Sequence, residues 1–272
     1  MRSALFLPIF DELSDARAVA QLAREAEDAG WDGVFVWDHV AYRAPVREVA
    51  DPWVVLAAVA CATERVLIGP MVTPLARRRP VKLAREVATL DGLSGGRLVL
   101  GVGLGGDGSR ELSATGEERD DRVRAEMLDE SLEVLRAAWT GEPVHHRGKH
   151  YVFEDLALLP TPVPRAGAVR PGPPVWVAMR RGKRAPLRRA ARHEGAFPID
   201  VESPDQLAEI AAELSELRAG ATTPFDLVVG GPPGTDPRPY AAAGATWWTV
   251  SFPLSTTVQG VRTQLREGPV RG

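Results

Sequence analysis

Two periodicities take turns along this chain, and their alternation leaves few folds open. Short apolar runs of strand type (Ala4 to Phe10, Gly33 to Trp37, Leu67 with Ile68, Leu98 to Val102) each give way to a segment whose apolar residues recur at helical spacing. The first such segment carries Val19, Leu22, Ala23 and Ala26 behind Ser14, a predicted cap, and stops at Gly30. Asp51 followed by Pro52 opens the next, because proline at the first helical position lacks only a donor that the helix leaves unpaired. Pro80 starts a third with Leu83, Val87 and Leu90, and a fourth bears Leu128, Leu132, Leu135 and Trp139 on one face. Strand, helix and strand in repeated succession imply parallel pairing with right-handed crossovers.

Between Glu142 and Pro174 the rhythm breaks, as Pro143, Pro160, Pro162, Pro164, Pro171, Pro173 and Pro174 remove donors and hold the backbone extended. This reads as a long ordered connection and not a domain linker, since regular units resume at once. Val175 to Ala178 is a strand, Leu187 to Arg192 a helix, and Ala196 to Ile199 a further strand. Ser203, Pro204 and Gln206 make a capping-box start for a helix with Leu207, Ile210, Ala211, Leu214 and Leu217. Phe225 to Val229, a short helical stretch around Tyr240, Trp247 to Phe252, and a closing helix with Val258, Val261 and Leu265 complete the pattern. The prediction is one (β/α)8 TIM barrel over residues 1–272: eight strands with intervening helices fit it better than an open doubly wound sheet, and a fold of roughly 250 residues would use nearly all of the chain.

A net charge of −3 offers nothing that would draw nucleic acid or an anionic membrane, so the expected partners are small molecules or copies of the chain itself. Cys61, the single cysteine, cannot close an intrachain disulfide, and a cytoplasmic location is expected. Ala4 to Phe10 is interrupted by Pro8 and followed by Asp11 and Glu12, which is not the form of a signal peptide, and no stretch approaches membrane-spanning length.

In such barrels the loops that follow the strands build the active site. Trp37, Asp38 and His39 follow the second strand, and His39 can exchange a proton near neutral pH. Asp38, its neighbour, points the other way along a strand, so the pair reads either as catalytic or as a loop that fixes the next helix. Pro70, Met71, Val72 and Thr73 follow the third strand. Gly101 to Gly106, with Leu104 inside it, lacks the Rossmann spacing and reads as backbone that can approach a flat ring, or as a tight turn. Ala178, Met179, Arg180 and Arg181 lead into Lys183 and Arg184 at a helix start, an anion site for a cofactor phosphate or else a solvated basic face. Arg77, Arg78 and Arg79 read as a surface loop or subunit contact. Trp37, Trp53, Trp247 and Trp248 suit a pocket wall, barrel packing or an interface. His145, His146 and His150 match no common zinc spacing, and no metal site is expected.

The block from Val72-Thr-Pro-Leu-Ala-Arg-Arg-Arg-Pro80 through Leu83-Ala-Arg-Glu-Val-Ala-Thr-Leu-Asp-Gly-Leu-Ser-Gly-Gly-Arg97 to Leu98-Val-Leu-Gly-Val-Gly103 resembles the signature of the luciferase-like monooxygenase family. Trp31-Asp-Gly-Val-Phe-Val-Trp-Asp-His39, Asp51-Pro-Trp53, Gly148-Lys-His-Tyr151, Pro174-Val-Trp-Val177 and Arg188-Arg-Ala-Ala-Arg192 before Gly195 extend the likeness to about residue 200, with the remainder similar in outline. The resemblance implies a (β/α)8 barrel, usually a homodimer, that uses FMN or coenzyme F420. It implies that His39 and Asp38 lie near the cofactor ring, and that a cis peptide not preceding proline, at Pro70-Met71, presses on the ring's back face.

Two departures from the family pattern stand out. Ala178-Met-Arg-Arg-Gly182 replaces the small residues that cradle phosphate in other members, and the acid nearest the strand-four glycines is Asp107, not a glutamate. The leading expectation is an F420-dependent oxidoreductase that moves a hydride to or from a small organic substrate, with His39 and Asp38 catalytic. The expected cofactor-binding residues are His39, Pro70, Met71, Val72, Leu104, Gly105, Gly106, Ala178, Met179, Arg180 and Arg181. An FMN-dependent monooxygenase fed by a separate reductase, and a non-catalytic flavin-binding or interaction barrel, stay open beside it.

Overall fold

In the computed structural model, which describes residues 1–269, the strands β1 (Arg2–Leu7), β2 (Gly33–Val36), β3 (Leu67–Pro70), β4 (Thr73–Pro74) and β5 (Leu100–Gly103) alternate with the helices α1 (Ala16–Asp28), α2 (Pro52–Ala62) and α3 (Pro80–Leu93). After α4 (Asp121–Ala138) come the short strands β6 (Val144–Arg147) and β7 (Val152–Leu156). The alternation then resumes through β8 (Val175–Met179), α5 (Arg184–Ala190), β9 (Gly195–Pro198), α6 (Pro204–Leu217), β10 (Asp226–Gly231), α7 (Arg238–Ala242), β11 (Trp247–Ser251) and α8 (Val258–Glu267).

Nine of these strands form one parallel sheet in the order β3-β2-β1-β11-β10-β9-β8-β5-β4. Its ends meet: the Ile68 N–H donates to the Arg97 carbonyl at 3.1 Å and the Val99 N–H to the Ile68 carbonyl at 2.9 Å. β4 carries on the line of β3 and pairs with β5, so β3 and β4 act as one interrupted stave of a closed (β/α)8 ring. Arg97 reinforces the seam by donating to the carbonyls of Ala60, Thr63 and Val66.

The core has two shells. Leu5, Leu7, Val34, Val36, Leu100, Val175 and Val177 face outward onto the helices, and the alternate residues Ala4, Phe6, Phe35, Val99, Trp176, Val228 and Trp247 fill the ring. Phe35, Trp176 and Trp247 meet there with ring centroids 5.2 to 5.9 Å apart. Trp247 therefore packs the barrel, while Trp248 faces α7 and packs at a tilt against Tyr240.

Helix starts follow their caps. Asp51 accepts from the Trp53 and Val54 amides, and Ser203 from Gln206. At α1 the cap is Asp15 and not Ser14, because residues 11–14 wind into a 3-10 turn and the Asp15 carboxylate accepts from the Arg17 amide. The proline-rich connection holds the antiparallel pair β6 and β7, unforeseen from sequence because their side chains are mostly exposed and lack alternation. Its middle is pinned by fully buried Asp91 at the end of α3, which accepts from the Val163 amide and both terminal nitrogens of Arg165.

Candidate active site

The C-terminal ends of the strands converge on a cavity of about 290 Å³. Phe6 from β1 and Phe197 from β9 form its apolar floor, with Val229 and Gly230 of β10 at its border; Trp37, Ile199 and Val201 rise beside them. Met71, Val72, Gly105 and Gly106 make another wall, and His39 and Glu111 supply the polar edge. Gly105 stands at φ 69°, where a Cβ would come within 2.9 Å of Pro74, so glycine keeps this wall thin.

Of the residues singled out from the sequence, Asp38, His39, Met71, Val72, Gly105 and Gly106 line the cavity. The others sit elsewhere. Pro70 is held in β3 against Val36, Leu104 packs on the outer core, and Met179 belongs to that same shell. Ala178 packs inside the ring against the inner cluster. Arg180 and Arg181 are turned to Asp200 and Glu209 on the surface, with the Arg181 amide donating to Asp200 at 3.0 Å. The cis peptide lies one bond later than expected, between Met71 and Val72 and not at Pro70-Met71. Parallel pairing runs through Pro70, and the Met71 N–H still donates to the Val36 carbonyl at 2.8 Å, so the irregular backbone begins after it.

The polar edge is a network built from three loops. His39 Nδ1 lies 2.7 Å from Glu111 Oε2, and the Val40 amide donates to Glu111 Oε1 at 2.7 Å. Arg77 bridges two acids, donating to Glu111 Oε1 and Asp38 Oδ1 at 2.9 Å each. Arg78 and Thr73 donate to the other Asp38 oxygen at 2.8 and 2.7 Å. Asp38 thus has its carboxylate filled by Thr73, Arg77 and Arg78, while His39, a little exposed, faces the cavity.

Burial opposes the charge on Glu111, but the bonds from His39, the Val40 amide and the Arg77 guanidinium outweigh it and hold the carboxyl below its ordinary range. Arg77 and Arg78, expected on the surface, are instead 6% and 17% exposed, because two buried carboxylates require partners.

Glu111 is the residue that sequence reading missed. The acid nearest the glycines, Asp107, accepts from the amides of Leu112 and Ser113 and so shapes the turn that presents Glu111. An acid four positions past Asp107 carries no signal in the sequence, and only that turn brings it to His39. His146 and His150 lie near carboxylates of α4, Glu130 and Glu126, and His145 lies beside Asp155.

The cavity suits a flat ring with polar edges. Its walls are apolar and thin at glycine, and Trp37 on its border keeps a buried indole N–H with no hydrogen-bond partner among the described residues.

Fold and site together define a (β/α)8 barrel whose ligand cavity opens at the C-terminal mouth. The model of the luciferase-like monooxygenase family matches residues 1–262, and the chain belongs to that family. It is 36% identical over 152 residues to an F420-dependent glucose-6-phosphate dehydrogenase of Amycolatopsis mediterranei, covering 54% of this chain and 44% of that protein. It is 32% identical over 207 residues to an F420-dependent hydroxymycolic acid dehydrogenase of Mycobacterium tuberculosis, covering 75% of this chain and 55% of that protein. The matches thus span about half the length of these relatives. Among solved structures, an F420-dependent secondary alcohol dehydrogenase in complex with an F420-acetone adduct superposes with a TM-score of 0.80 over 97% of both chains at 17% identity, a likeness of fold.

Proposed function

We propose that this chain is a coenzyme F420-dependent oxidoreductase that moves a hydride between the deazaflavin and a small organic substrate. The observation that carries the reading is the His39–Glu111 pair at the edge of an otherwise apolar cavity, in a chain whose relatives are named F420-dependent dehydrogenases. Bound there, F420 would supply a two-electron hydride donor or acceptor that reacts poorly with oxygen. Trp37, Met71, Val72, Gly105 and Gly106 would hold its ring.

The chain's own residues do the proton work. With Glu111 ionised, His39 donates through Nδ1 to that carboxylate, leaving Nε2 to take a proton from a substrate hydroxyl or to return it. Glu111 stabilises the imidazolium that forms; the bonds from His39 and the Val40 amide, with Arg77, keep the carboxylate charged, and Arg77 helps to hold it in place. Asp38 is a positioning residue: filled by Arg77, Arg78 and Thr73, it anchors the loop that carries His39. The apolar walls exclude water from the hydride path.

Fluorescence titration of the purified chain tests the cofactor. F420 should bind at least about tenfold more tightly than FMN, a difference of roughly 1.4 kcal/mol; an equal or reversed preference overturns the assignment.

The assembly we propose is a homodimer in the cytoplasm, formed by one barrel domain over 1–272, of which 270–272 lie outside the described residues. α2 is apolar on nearly every side, and Val54 on it and Leu93 at the end of α3 are large apolar side chains left in solvent, 64% and 49% exposed. None of the described helices is long and apolar enough to cross a membrane. Light scattering on the wild type and on Val54→Lys with Leu93→Lys tests the dimer: a monomeric wild type overturns it.

A further inference from the structure

We propose that the substrate is an uncharged, mainly hydrocarbon secondary alcohol or the matching ketone, and not a sugar phosphate; this deepens the oxidoreductase reading and rests on it. The cavity wall offers hydrocarbon: Phe6, Trp37, Phe197, Ile199 and Val201. Ile199 stands half in solvent at 47% exposure, which carries the apolar surface outward to the mouth.

Charge decides against an anion. Among the described residues that line the cavity, the ionisable ones are Asp38, His39 and Glu111, with no lysine or arginine. Arg77 and Arg78 sit behind this wall, and their guanidinium groups are committed to Asp38 and Glu111. A phosphate dianion in the cavity would lie beside the ionised Glu111 with no cation among the described lining residues to meet it, and burying an unpaired charge is strongly unfavourable. An alcohol needs one proton acceptor and an apolar berth, and both are present.

The step balances. With F420 bound, the carbinol C–H would break and its hydrogen would leave as hydride, carrying two electrons to the oxidised deazaflavin, while His39 Nε2 takes the hydroxyl proton and the C–O bond becomes a carbonyl. The alcohol would be oxidised and the bound deazaflavin reduced by the same two electrons, and the ionised Glu111 balances the charge of the imidazolium until it releases its proton to water. Ketone reduction is the reverse, with reduced F420 as donor.

The test uses the F420-loaded protein. Cofactor binding is first measured by fluorescence titration, so that failure there, which overturns the oxidoreductase reading and this proposal with it, is seen separately. Steady-state turnover is then compared for cyclohexanol, 2-octanol, glucose and glucose 6-phosphate, with ketone reduction followed in the other direction. Binding of cyclohexanone and of inorganic phosphate to the loaded protein is read by calorimetry. The expected result is a kcat/KM for the uncharged alcohols roughly 100-fold or more above that for glucose 6-phosphate, with cyclohexanone bound and phosphate not. Comparable or faster turnover of glucose 6-phosphate, specific phosphate binding, or an F420-loaded protein that neither turns over nor binds the alcohols and ketones overturns the substrate class while leaving the cofactor assignment standing.

Discussion

His39 Nδ1 rests 2.7 Å from Glu111 Oε2 across 72 positions of sequence, and Arg77 holds the far oxygen of the same carboxylate at 2.9 Å. The histidine is thereby oriented by an acid whose other oxygen is paired with a buried guanidinium. Each member of this chain of contacts answers to a separate experiment.

Replacing Glu111 by Gln removes the charge that balances a protonated His39 while leaving its shape. Turnover should fall about 100- to 1,000-fold, a loss of the size seen for general acid–base partners, with F420 affinity changed less than about threefold. Stability has a defined sign as well. The folded carboxyl titrates below its ordinary 4.5, so its contribution is present above that pH and is lost as pH falls through the lowered value. Acid unfolding curves of wild type and Glu111→Gln should converge in that window; equal turnover of the two proteins would remove Glu111 from the mechanism.

Arg77→Met leaves Asp38 and Glu111 buried and short of a partner. The expected cost is about 3–5 kcal/mol in urea unfolding, with Arg77→Lys recovering part of it. Arg77→Met combined with Asp38→Asn should be less destabilised than the sum of the single changes, since the pair is coupled; strict additivity would show that the contact carries no energy.

Gly105→Ala places a methyl group 2.9 Å from Pro74 Cβ on backbone at φ 69°. The change should cost about 1 kcal/mol of stability and weaken F420 binding roughly tenfold by thickening the wall. Unaltered F420 affinity would mean that the ring does not pass this glycine.

At the opposite end of the barrel, burial together with the positive field of Arg136, Arg170 and Arg192 pushes His193 down to about 4, against the opposing pull of Glu194. Between that value and its ordinary 6.5 the unfolded chain binds a proton that the folded chain refuses, so stability falls as pH drops through this interval, by up to roughly 1.4 kcal/mol per pH unit. Melting temperatures from pH 7 to pH 5 should decline, and His193→Gln should flatten the decline; an identical slope in the variant would refute the assignment.

What the sequence settled by itself is local or short-ranged. The spacing of Val19, Leu22, Ala23 and Ala26 makes a helix with one apolar face wherever the chain lies, and Asp51 before Pro52 caps α2 with its own carboxylate. The alternation of such segments with Val34, Leu100 or Val175 in short strands then leaves parallel pairing as the economical way to bury both shells. Tertiary structure decided the rest. Arg77 and Arg78 are indistinguishable in sequence from a solvated basic run until β4 and the following turn carry them to Asp38, 39 and 40 positions away. Glu111 has no pattern of its own, and it gains its place because Asp107 shapes the turn that delivers it to His39. Periodicity records which side of an element is dry, whereas the worth of a charge depends on what lies beside it once water is gone, and closing the ring is what brings those neighbours together.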